Sequence, residues 1–167
     1  DADNPDYLWL CALGSLDYHP KQARTLFIKY YELTADPEAL AYLGRSEQLL
    51  GNNEAARKAY WQSLSDRRGD PWATSNLYRL GDRTVKLFSE FKRALTNPPD
   101  PKLQGFAVLA VDIAIEAQIT LPESWEAWAA ARARGLADSH NASPEEDSDL
   151  RFMLYIWCKR RRRLDLY

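Results

Sequence analysis

The chain has 167 residues, 46% apolar and 28% charged, which excludes a wholly disordered chain and is enough for one ordinary domain with a sizeable core. A net charge of −2 provides no general attraction for nucleic acid. Seven glycines argue against a glycine-rich β architecture, and two cysteines, Cys11 and Cys158, make neither a disulfide framework nor a zinc site. The longest apolar stretch, Phe106 to Ile115, is broken by Asp112 and is too short to span a bilayer.

Four X-Pro steps divide the sequence: Asn4-Pro5, Asp36-Pro37, Asp70-Pro71 and Asp100-Pro101. Asp or Asn before the proline can cap a helix by accepting from a free N–H of its first turn. Proline is tolerated at the first helical position, where its missing N–H costs nothing. Each step therefore predicts a helix start, and the prolines stand 32, 34 and 30 residues apart. That is the interval of helix–turn–helix repeats.

The first two units align at an offset of 33. Tyr7 pairs with Leu40, Leu10 with Leu43, Leu16 with Leu49, Ala23 with Ala56, Phe27 with Tyr60 and Tyr31 with Leu64. Spacings of three, four and seven put each half on one helical face. Each unit then reads as two amphipathic helices, with breaks near Tyr18–Pro20 and Gly51–Asn53.

The segment Pro37 to Arg68 resembles a tetratricopeptide repeat. It carries Leu40, Leu43-Gly44, Ala56, Tyr60 and, slightly late, Pro71, with the turn Leu-Gly-Asn-Asn-Glu-Ala-Ala at 50–56. The unit from Pro5 matches through Leu10, Ala23 and Phe27, with Cys11 in place of the glycine. The clear likeness covers residues 5–71 and weakens to about 137. The resemblance implies an all-α fold, a right-handed superhelix of about four helix pairs (5–35, 37–67, 71–96 and 101–137) in one domain over 1–167. A C-terminal helix over about 144–165 would cap it.

Caps and periodicity place the later helices. Pro71 to Leu80 forms one helix, ended at Gly81, and Thr84 to Leu95 forms the next with Val85, Phe88, Phe91 and Leu95 on one side. Lys102 to Ile119 is apolar on two faces. Thr120-Leu-Pro-Glu123 opens a helix with Trp125 and Trp128, and Ser143-Pro144 opens the last one.

Several residues have the chemistry of a site. Asp112 and Glu116, at i and i+4, support a remote hydrolase reading, although no reaction class finds its geometry around them. His19 and His140 lack a framing nucleophile motif, Cys11 and Cys158 read as buried apolar residues, and Asn141-Ala-Ser143 fits a sequon better explained by a helix cap. The run Lys159, Arg160, Arg161, Arg162, Arg163 reads either as a solvated helix end or as a contact for an acidic partner. Trp61 and Trp72 are candidates for exposed contacts.

The resemblance implies a non-enzymatic scaffold that needs no cofactor and holds a peptide, helix or loop of another protein in a concave groove. The alternative is a structural or self-assembly subunit, whose groove holds a sister copy. Residue by residue, the inner wall takes Leu8, Ala12 and Ser15, then Ala41, Arg45 and Gln48, then Ser75 and Tyr78. Some family members grip a chaperone's terminal carboxylate with Lys and Asn on the first wall helix. Leu8 and Ala12 stand there, so that role is not expected. Arg45 has two readings: a partner anchor free to stack on Tyr78, or an internal salt bridge to Glu38 or Glu47.

Similar arrays serve bacterial secretion or exopolysaccharide assembly. The chain starts at Asp1 rather than Met, as a processed form or an excerpt would. The expected setting is cytoplasmic, alone or as the soluble part of a membrane-tethered protein.

Overall fold

The structure is a computed structural model that describes residues 4–96, 113–114, 119–128 and 131. Among these residues it is all-helical, with no strand. The chain divides into two compact units, Asp1–Ala94 and Leu95–Tyr167.

In the first unit six helices follow in order: α1 (Pro5–Ser15), α2 (Pro20–Thr34), α3 (Pro37–Leu49), α4 (Asn53–Asp66), α5 (Pro71–Arg79) and α6 (Val85–Ala94). Each packs on the next, and α3 also packs on α5. Sequential packing of this kind is compatible with an α-solenoid.

Three of the four X-Pro steps begin helices, and all three caps are made by side chains. Asn4 accepts from the N–H groups of Asp6 at 2.9 Å and Tyr7 at 3.2 Å. Asp36 accepts from Glu38 at 2.9 Å, and Asp70 from Ala73 at 2.8 Å. The fourth step, at Pro101, lies outside the described residues.

The turns after α3 and α5 are built alike. Gly51 and Gly81 take positive φ, +79° and +85°. The Gly51 N–H donates to Gln48 and the Asn52 N–H to Glu47. In parallel, the Gly81 N–H donates to Tyr78 and the Asp82 N–H to Leu77. This double bond around a left-handed residue satisfies carbonyls that the helix end leaves free.

The core of α1 and α2 is Ala12, Leu16, Ala23 and Phe27, with Trp9, Leu13, Leu26, Tyr42 and Leu43 packed against it. An aromatic ladder runs from it across the helices. Trp9 meets Phe27 at 5.7 Å, Tyr30 at 4.9 Å and Tyr42 at 5.2 Å between ring centroids. Tyr42 stacks on Phe27 at 5.4 Å and reaches Trp72 of α5 at 4.7 Å. Offset and edge contacts of this kind stabilise beyond the area they bury.

In the second unit, residues 123–128 are helical and start where the Thr120–Glu123 pattern expects. The Trp125 indole donates to the Leu95 carbonyl at 3.1 Å and packs edge-on to Trp128 at 6.3 Å. Ile113 and Ala114 are buried and helical. Most of the expected pair at 101–137 and the helix at 144–165 lie outside the described residues.

Candidate functional site

The α3–α4 crossing sets the geometry of the site. Gly44 brings no side chain, so the ring of Tyr60 lies directly on it, fully buried. The Tyr60 hydroxyl donates to Gln48 Oε1 at 3.1 Å. Burial holds the phenol far above its usual pKa, while the charge of Arg45, the Trp72 indole N–H and the charge of Arg79 pull it the other way. Trp72 Nε1 itself is shut off from solvent.

Arg45 is half-buried and makes no ion pair or hydrogen bond among the described residues. The two carboxylates that its position offers are used elsewhere. Glu47 accepts from Arg24 Nε of α2 at 3.0 Å and from Asn52 Nδ2 at 2.7 Å. Glu38 pairs with Arg67 at 3.3 Å, and Arg67 also reaches Asp70 at 3.3 Å. The face of Tyr78 is likewise occupied, by the guanidinium of Arg83 at 3.5 Å from the ring centroid. The salt-bridge reading of Arg45 and its stacking on Tyr78 are both corrected by these pairings.

Among the other expected wall residues, Leu8, Ala12, Ala41, Ser75 and Tyr78 are buried, and Ser15 and Gln48 are half-buried. Ala12 belongs to the α1–α2 core. The Ser15 hydroxyl donates to the Cys11 carbonyl at 2.7 Å and Ser75 to the Pro71 carbonyl at 2.7 Å. Small side chains here let neighbouring elements close over them. Of the expected wall residues, Ser15, Arg45 and Gln48 stay partly accessible, and Arg79 at the end of α5 is exposed.

Trp61 and Trp72 are both half-buried. The Trp61 indole donates to Asp82 Oδ2 at 3.1 Å and carries the Lys86 ammonium over its ring at 4.2 Å. Trp72 is the end of the aromatic ladder. Asp112, Glu116, His140, Asn141, Cys158 and the run from Lys159 to Arg163 lie outside the described residues. Cys11 is a half-buried free thiol, and His19 is exposed at the start of α2.

Two further clusters escaped the sequence reading. Arg68 reaches Glu90 of α6 at 2.5 Å, and Glu90 also accepts from the Gly69 N–H at 2.8 Å. Arg57 donates to the Leu80 carbonyl at 2.6 Å, closing the end of α5, and pairs with Glu54. Among the described residues no group of His, Cys, Asp and Glu has the composition to hold a metal ion. Nor is any described helix long and apolar enough to cross a membrane.

Among the described residues the chain is all-helical, and each helix of the first unit packs on the next. Comparison with protein-family models, with curated proteins and with solved structures found no match.

Proposed function

We propose that the chain is a non-enzymatic scaffold of tetratricopeptide-like helix pairs, four pairs and a C-terminal cap wound as a right-handed superhelix. It holds a peptide, helix or loop of another protein against the wall of α3 and α5. The observation that supports this best is the state of Arg45. Its possible internal partners, Glu38 and Glu47, are engaged by Arg67 and Arg24, and it remains half-exposed on a wall whose small residues are already covered. Arginine suits a partner contact because its planar fork binds in two-point fashion. The resemblance of residues 5–71 to tetratricopeptide repeats supports a role in bacterial secretion or exopolysaccharide assembly, on the cytoplasmic side, free or tethered to a membrane through an anchor or a partner.

The test is positional. A photo-crosslinking side chain at position 45 and, as a control, one at the exposed Lys58 of α4 are compared in the source cell. The scaffold reading expects one discrete adduct from position 45 and none from position 58. Capture of a second copy of the chain would identify self-assembly. Adducts from both positions alike, or from neither, would overturn the wall as the site.

A further inference from the structure

Helix α1 is apolar on two sides. Leu8 and Ala12 are buried, while Tyr7 and Leu10 are 58% and 67% exposed. Gly14, one turn further along, is also exposed, with open space over it. Positions 7, 10 and 14 share one helical face. At the offset of 33 they correspond to Leu40, Leu43 and Glu47 of α3. There the same face is covered. Leu40 is 3% exposed, Leu43 packs on the α1–α2 core, and Glu47 accepts from Arg24 of α2 at 3.0 Å. What covers it is α2, a helix that brings apolar residues and a cation together. No described helix does this for α1. A stacked array needs a polar outer face on a terminal repeat that stays in water, and α1 presents an apolar one.

Charge narrows the occupant. Asp6 in the first turn of α1 and Asp17 just past its end are both exposed. Residues 1–20 hold four aspartates and neither Lys nor Arg. The complement stands at the other end of the sequence. Residues 150–158 are apolar except for Arg151 and run directly into Lys159–Arg163, five cations in a row. Their sequence reads as a helix, so they offer what α2 offers to α3: apolar surface with positive charge beside it. An acidic, apolar face and a basic, apolar segment attract one another and suppress pairing of like with like.

We propose that the outer face of α1 receives the segment 150–163 of a second copy of the chain. Face and segment are different surfaces, so the contact is heterologous. A joined pair keeps one free face and one free segment, and further copies add in turn, as a ring or as an open chain. The contact is separate from the α3–α5 wall and does not depend on the scaffold reading.

Size-exclusion chromatography with light scattering reads this on the full chain, over a range of concentrations at low and high salt. The parent is expected to grow in mass beyond a dimer as concentration rises, and to fall back as salt screens the contact. Leu10→Glu damages the face alone. Arg160→Glu with Arg161→Glu damages the segment alone. Each should raise the concentration at which association begins by roughly tenfold or more, through a desolvated charge in the first and like-charge repulsion in the second. Leu10 is exposed, so the thermal melt of Leu10→Glu should match that of the parent. The deciding arm mixes the two variants. One keeps its segment and the other its face, so the mixture should form a one-to-one dimer and stop there. A parent that stays monomeric at every concentration overturns the proposal, whether its face is free or taken by its own segment. So does a mixture that stays monomeric, or a Leu10→Glu chain that associates as the parent does. A segment variant that still associates by itself would pair α1 with α1 and overturn the segment as occupant.

Discussion

A Cβ on Gly44 would lie 2.7 Å from Cε1 and 2.8 Å from Cδ1 of Tyr60. The Tyr60 ring is fully buried and tethered through its hydroxyl to Gln48, so it cannot swing aside at little cost. Helices α3 and α4 cross at this point because one of them contributes no side chain there.

Gly44→Leu should therefore cost about 1–3 kcal/mol by overpacking, and Gly44→Ala a smaller but measurable amount. Ala56, fully buried on α4, should respond to leucine in the same way. Urea or thermal melting reads the loss. An unchanged melt for Gly44→Leu would contradict the close crossing.

Gly69 combines two demands. Its φ is +72°, and a Cβ there would stand 2.9 Å from Cβ of Arg93 and 3.0 Å from the Ala94 backbone nitrogen. Gly69→Ala should cost at least about 2 kcal/mol, the left-handed strain adding to the overlap. Gly81 has φ +85° with open space around it, so Gly81→Ala should lose only the conformational part, about 1–2 kcal/mol. Equal losses at the two positions would show that the packing of the 67–70 turn on α6 is not as described.

Glu90 is 1% exposed. Burial works to raise its pKa, but the hydrogen bonds from Arg68 and the Gly69 N–H and the charges of Arg68 and Arg93 outweigh it, so the group titrates below its ordinary 4.5. A carboxyl depressed in the folded state stabilises the fold above its unfolded pKa and gives that stability up as pH falls through the folded value. Stability should therefore decline on acidification below about 4.5, and Glu90→Gln should flatten that part of the profile. Arg68→Ala leaves the buried carboxylate without its charged partner, so it should destabilise at neutral pH and move the acid transition upward. Denaturant melts between pH 3 and 7 measure both. An identical slope in parent and Glu90→Gln would contradict the assignment.

Much of the first unit was legible in the sequence because its signals are local. Asn4, Asp36 and Asp70 each carry both halves of a helix start, cap and proline, within two residues. The Leu43-Gly44 pair and Tyr60 were picked out by the resemblance of Pro37 to Arg68 to a tetratricopeptide repeat. The wall was harder to read. Ala12, Ala41 and Ser75 suggested room for a partner, but small residues also let the protein's own elements close in, and here they are covered. Arg24–Glu47 and Arg68–Glu90 join residues more than twenty positions apart on different elements, and no local pattern marks such pairs.

The most direct test of the central claim is the affinity of Arg45→Ala for the partner captured from position 45, measured by titration calorimetry beside its thermal melt. A groove anchor predicts melting close to that of the parent and binding weakened by more than about 1 kcal/mol. Binding as tight as the parent's would contradict the account, because the α3–α5 wall would then not be where the partner sits.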